Sequence, residues 1–368
     1  MSKRQVSFIY GLPLLCLASA LVIQSGVLRL EAWGDAAYTA AGMALTLLVF
    51  ATVFVALHHA EAIAQRVGEP FGTLVLTLAV TAIEVSIIVS MMLHGANNPT
   101  LARASVFSTV MIVCCGVVGV CLTVGGWRHK AQDIRRQGTS AFLAVLIALS
   151  VLTLVLPNYT LTSVPGSFAA AQLAFVSVLS IFLYGSFLFA QTVGQKDDFM
   201  EVLEPETHRI DHAESGTRPL LHGVFLLASL MGIVLLTEQV AAGVEEGLHH
   251  FGIVEADAIV GALIALVVLM PEAVSAIKAS MANELQRGLN IALGSACATI
   301  GLTIPAVAMA SLVTGRELTL GLTTGDTVLL LLALMISIVS FGTGRTTALT
   351  GLTHLVVFLA FVLVTVMP

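Results

Sequence analysis

The stretch GEPFGTLVLTLAVTAIEVSIIVSMML, Gly68–Leu93, decides how the chain is read. It is an apolar run with one carboxylate, Glu84, near its middle. A second run, DAIVGALIALVVLMPEAVSAIKASM (Asp257–Met281), has the same layout with Glu272 in the middle. In each run an acid, Glu69 or Asp257, precedes the central Glu by the same interval. Each run is long enough to cross a bilayer as a helix, which takes about 20 apolar residues. A charge at that depth costs about 2.5–3.5 kcal/mol even on lenient scales. Two such charges in matching places point to a repeated transport element.

Composition agrees. Of the 368 residues 57% are hydrophobic and only 10% charged, with a mean hydropathy of +0.99. A soluble domain carries about 25% charged residues. The chain therefore reads as an all-α polytopic membrane protein whose main partner is the lipid bilayer. The formal charge of −6 says little, because the acids sit mostly in loops. No basic patch of useful size exists, which excludes a nucleic-acid role. The five cysteines (Cys16, Cys114, Cys115, Cys121, Cys297) all lie in apolar runs. Their odd number and placement imply free thiols, and no Cys/His spacing resembles a zinc site. The apolar run Val6–Leu28 follows Lys3 and Arg4 and exceeds a signal peptide's core, so it reads as a retained first span.

Hydropathy gives about eleven spans, near 6–28, 36–57, 69–94, 101–125, 140–156, 168–194, 219–243, 257–280, 288–314, 323–341 and 346–367. With the N-terminus cytoplasmic, thirteen of the sixteen Lys and Arg fall at cytoplasmic ends; Arg29, Arg103 and Arg316 fall outside. That asymmetry follows the positive-inside rule and puts the C-terminus outside. With the first span (1–30) set aside, 36–194 and 219–368 each hold five spans. An odd number per half makes the halves opposite in membrane direction, an inverted repeat with Glu84 and Glu272 in equivalent members. Sequence identity between the halves is slight beyond the acids, with Leu78/Leu266 and Val80/Val268 at the same offset.

Between the halves, 195–218 forms an acidic cytoplasmic loop. Asp197, Asp198, Glu201, Glu204 and Glu206 read either as a solvated linker or as a regulatory segment, a cytoplasmic cation sensor or docking site. His208 and His212 there do not make a metal site.

Placing the acids on the spans leaves only Glu84 and Glu272 near mid-membrane, with no Lys or Arg at that depth, and the histidines avoid it. The two carboxylates are protonated, or share a cation, or do both in turn. Such a pair is a competitive site for protons and a metal ion. The plainer alternative is two permanently protonated acids serving as interhelical hydrogen-bond donors. Neighbouring oxygens favour a hard cation. Thr77 and Thr81 share a helix face with Glu84, and Ser275 shares one with Glu272. The following spans carry Ser105, Ser108 and Thr109, and Gly294, Ser295, Thr299 and Thr303. Taken singly, such hydroxyls usually serve packing or bond their own helix. Pro271 and Pro305 each free the carbonyl four residues earlier, those of Val267 and Gly301. Broken helices at the midplane use such carbonyls as ion ligands; the equal alternative is a plain proline kink whose freed carbonyl is satisfied by neighbouring side chains.

The segments EPFGTLVLTLAVTAIEV (69–85), NPTLAR (98–103), VLPNYT (155–160) and MPEAVSAIKASMANELQRGLNIALGSACATIGLTIPAVAMASLV (270–313) resemble the calcium/cation antiporter superfamily, in its bacterial ChaA-type branch. The resemblance covers nearly the whole chain. It implies a bacterial inner-membrane protein exchanging Ca2+, or Na+ or K+, for protons, without a cofactor. It also implies Glu84 and Glu272 as the ion- and proton-binding carboxylates, in a site built by spans 3, 4, 8 and 9. The chain departs where the wider family has Gly-Asn before each acid: Val80-Thr81 and Val268-Leu269 stand there, and Ala298 replaces a polar Gln. Fewer amide ligands shift the expectation toward monovalent cations. Two other classes stand against the antiporter: a cation channel lined by the same acids, and an intramembrane enzyme. The enzyme lacks an HExxH or GxSxG motif.

Overall fold

Lipid offers backbone groups no partner, so a spanning chain satisfies them within helices. The computed structural model describes residues 3–25, 35–67, 71–94, 98–162, 164–200, 219–250 and 256–367. Glu69, Glu201, Glu204, Glu206, His208 and His212 lie outside the described residues, as do the side chains of Glu238, Asp257 and Pro271. The helices are α1 (Lys3–Gln24), α2 (Asp35–Val67), α3 (Phe71–His94), α4 (Leu101–Met111), α5 (Val118–His129), α6 (Arg136–Ser150) and α7 (Ala170–Phe189). They continue with α8 (Pro219–His250), α9 (Ala256–Met281), α10 (Leu285–Ala298), α11 (Ile304–Thr314), α12 (Thr324–Gly342) and α13 (Ala348–Val366).

Among the described residues, seven helical runs are long and apolar enough to cross a membrane: Ala40–Ile63, Leu101–His129, Arg136–Tyr159, Ala170–Gly194, Leu285–Thr314, Thr324–Gly342 and Ala348–Val366. An eighth is α9, bent by 51° between Gly261–Met270 and Glu272–Met281. The break falls between Met270 and Glu272, where the sequence has a proline and so lacks an amide hydrogen for the helix ladder. Shorter apolar helices, Phe8–Gln24, Thr77–Met92 and Leu220–Leu236, occupy three further expected spans. The order is consistent with the eleven spans expected.

The chain divides into two compact units. The first, Met1–Asn98 with Ile210–Ala256, holds α1, α2, α3 and α8. Here α8 packs on α1, α2 and α3. Gly232 lets α8 close on α1: a Cβ there would stand 2.9 Å from Cys16 Sγ and the Leu17 amide nitrogen. Ser90 of α3 donates to the Val234 carbonyl at 3.0 Å.

The second unit, Pro99–Arg209 with Asp257–Pro368, holds the other helices. Several are continuous rods carrying a π-helical turn, at Ile112–Val117 between α4 and α5 and at Thr299–Thr303 between α10 and α11. Two more lie at Val151–Val155 and Ala190–Gly194. The two turns between paired helices each set a glycine on an aromatic ring: Gly116 on Phe358 of α13, Gly301 on Tyr184 of α7.

The connections of this unit sort into two groups. In one, Thr319 N–H donates to Pro99 O, Arg103 Nη1 to Gly321 O, Gly321 N–H to Gly166 O and Asn158 Nδ2 to Leu322 O. In the other, a short antiparallel ribbon pairs β1 (Ala131–Asp133) with β2 (Arg345–Thr347). There Gln132 Nε2 donates to Ser280 O and Asn283 Oδ1, and Asn290 Nδ2 to Phe199 O. Phe199 anchors the start of the acidic loop, buried against Phe142 and Phe187. The first group gathers the connections expected outside, the second those expected at the cytoplasmic face.

Candidate functional site

Glu272 sits at the bend of α9 on its inward stripe. Gly261, Ala265, Val268, Leu269, Glu272, Ala276 and Ala279 are buried, while Leu263, Leu266, Met270 and Val274 are exposed. The stripe follows helical spacing, and its small residues admit close neighbours. A Cβ at Gly261 would stand 2.8 Å from the Ser105 amide nitrogen of α4, and one at Gly288 of α10 2.8 Å from the Ala276 carbonyl.

α9 and α10 are joined by a tight turn. Asn283 takes a left-handed φ of 67°, and Glu284 N–H returns to the Ala279 carbonyl. Glu272 and Ser295 lie at near-equal distances from this turn, so the two helices bring them level. The Ser295 hydroxyl donates to Glu272 Oε2. The acid is 6% exposed and the serine 3%.

The second unit also buries Ser105, Ser108 and Thr109 on α4, and Thr299 and Thr303 on the π turn after α10. Ser105 Oγ and Thr303 Oγ1 are buried with no hydrogen-bond partner in the structure. Gly294 faces the Phe142 ring, and Ser275 is half-buried on α9. Pro305 enters α11 just past the π turn, where its missing N–H interrupts the ladder at the Gly301 carbonyl.

Glu84 belongs to the first unit. It is 2% exposed and shares the buried face of α3 with Val80, Thr81, Ile87, Ile88 and Met91. Thr81 spends its hydrogen on its own helix, donating to the Thr77 carbonyl at 2.9 Å; its oxygen keeps lone pairs for another partner. Asp197 and Asp198 lie in the turn Lys196–Phe199, away from these groups in sequence, and their packing runs through Phe199 and the close approach of Gly138 to the Asp198 carbonyl.

Sequence reasoning missed two kinds of residue. Tyr184 of α7 is buried and carries Gly301 of the π turn on its ring. Its hydroxyl within an apolar run was the available signal. The second kind is the buried histidines, since His59, His222 and His354 are all packed inside their units. Each has at least one ring nitrogen paired, which offsets part of the cost of burial, while His222 Nε2 is buried without a partner. His59 Nδ1 meets His222 Nδ1 at 2.8 Å, and His354 bonds Ser340 and the Cys114 carbonyl.

A carboxylate buried at the bend of an apolar helix, with a serine donating to it, in a chain of membrane-length helices marks a membrane transporter for ions. The family profile described as sodium/calcium exchanger protein matches residues 36–193 and 221–367. The chain therefore belongs to the sodium/calcium exchanger family, within the calcium/cation antiporter superfamily and like ChaA. It is 33% identical over 338 residues to the sodium-potassium/proton antiporter ChaA of Escherichia coli, covering 90% of this chain and 91% of that one. It is 43% identical over 322 residues, 87% of each chain, to a Sinorhizobium fredii protein named as an ionic transporter, y4hA. Its fold matches the H+/Ca2+ exchanger CAX with a TM-score of 0.70 at 15% identity, over 98% of this chain and 89% of that one. It matches native YfkE with a TM-score of 0.66 at 18% identity, over 97% and 100%. The family is one of transporters, not enzymes.

Proposed function

We propose that the protein is a cation/proton antiporter of a bacterial inner membrane, N-terminus cytoplasmic, that exports Ca2+, Na+ or K+ in exchange for protons. Glu84 and Glu272 bind cation and proton by turns, and alternating access carries the loaded site from one side to the other. The observation that carries this reading is Glu272: a carboxylate buried at the bend of an apolar helix, its oxygen accepting from Ser295. A proton or a metal ion each neutralises it there. The two family matches, one over each half, support the reading of the halves as inverted repeats. The 33% identity to a sodium-potassium/proton antiporter and the lack of amide ligands at Thr81 and Leu269 favour monovalent cations beside calcium.

The test is reconstitution into vesicles with a pH gradient, dissipated by added calcium, sodium or potassium. Wild type collapses the gradient on addition of its cation. Glu84→Gln and Glu272→Gln each abolish that collapse while the proteins still insert. Near-normal exchange by either variant refutes its assignment, and cation conductance without proton movement identifies a channel.

A further inference from the structure

A buried histidine closes the π turn after α4. In an α-helix the Val118 amide would bond the Cys114 carbonyl. Here it reaches one residue further back, to the Val113 carbonyl. The Cys114 carbonyl thus loses its ordinary donor, in a segment where Ile112–Val117 are all buried. His354 of α13 supplies the replacement, with Nδ1 2.7 Å from the Cys114 oxygen. A carbonyl only accepts, so Nδ1 carries the hydrogen. Nε2 then takes the hydroxyl hydrogen of Ser340 of α12, at 2.9 Å. A neutral imidazole satisfies both bonds, and Phe341 stacks on its ring.

A π turn shifts the register of everything beyond it. The Ile112 amide, at the start of this turn, bonds the carbonyls of Ser108 and Thr109 together. The turn therefore fixes how those two residues sit with respect to α5. We propose that His354 is a positioning residue for exchange: its Nδ1–H stands in for the amide that the π turn withdraws, and so holds Ser108 and Thr109 at the cation path. This rests on the reading of Ser108 and Thr109 as part of that path.

Asn at position 354 places an amide where Nδ1 stands; Gln places it further out, and Leu offers no donor. The test compares H354N, H354Q and H354L in reconstituted vesicles and by hydrogen–deuterium exchange of the segment 112–120. Loss of a buried bond of this kind corresponds to about tenfold in cation affinity. H354L and H354Q are therefore expected to raise the cation KM by about tenfold, with a smaller change in maximal rate, and to exchange amide hydrogens faster across 112–120. H354N is expected to stay within about twofold of wild type in both readouts. Wild-type behaviour of H354L, or equal impairment of H354N and H354L, overturns the proposal. Should H354L fail to insert, H354N against H354Q decides it: H354N better supports it, equality or the reverse order overturns it. Wild-type vesicles without cation-driven proton flux would sink the proposed function instead, and the hydrogen exchange of the three variants would still decide whether His354 holds the turn.

Discussion

A carboxylate inside an apolar helix must find donors, take up a cation or give up its charge. Glu272 finds Ser295, one turn before the π segment of its rod. A hydrogen bond to a charged group is worth about 1.5–3 kcal/mol. Ser295→Ala should therefore weaken cation binding by about tenfold or more, read as a raised cation KM in vesicles. Ser295→Thr keeps the hydroxyl and should retain most of the affinity; equal loss in both variants would mean that volume, not the hydroxyl, matters. The acids were legible because a mid-span charge stands out against apolar residues. The hydroxyls were less so, since Thr81 bonds its own helix as most membrane hydroxyls do, while Ser295 bonds across to another. Nothing in sequence separates those two fates, which depend on what the neighbouring helix brings level.

Hydropathy located the helices, but it measures the hydrocarbon layer and not where a helix ends. Hence α2 continues to Val67 and α8 to His250, beyond the expected limits at 57 and 243. The π turns were illegible for a related reason: no residue type demands them, and packing from other helices supports them. The bend of α9 was the exception, because a proline lacks the amide hydrogen wherever it sits in a sequence, and α9 bends by 51° between Met270 and Glu272. Gly301 shows the packing cost directly, since a Cβ at that place would lie 2.7 Å from the Tyr184 Cβ. Gly301→Leu should destabilise the protein by about 1–3 kcal/mol through overpacking, seen as a lower unfolding midpoint in detergent. Removing that Cβ as well, in Gly301→Leu with Tyr184→Gly, should recover part of the loss. An unchanged midpoint in the single variant would show that α7 and the turn are not tightly joined.

Across the second unit, Arg103 lies with one group of connections, while Lys130, Arg135, Arg136 and Arg345 lie with the other. This is the arrangement that the basic residues predicted, and it fixes which loops should share a side. The five native cysteines are all buried, so labelling of introduced ones stands on a low background. Leu161, fully exposed in the first group, and Arg345, exposed in the second, are suitable sites. In intact cells a membrane-impermeant maleimide should modify Leu161→Cys but reach Arg345→Cys only after permeabilisation. The opposite pattern would invert the orientation, and labelling of both from outside would break the count of spans.

The β1–β2 ribbon bears on how the protein is made. It joins the segment after α5 to the segment before α13, so its second strand leaves the ribosome only when nearly all of the second unit has been synthesised. Until then the Ala131–Asp133 edge waits unpaired and α5 lacks its principal neighbour, α13. A nascent chain stalled ahead of Arg345 should therefore be more open to proteolysis than one that has released α13.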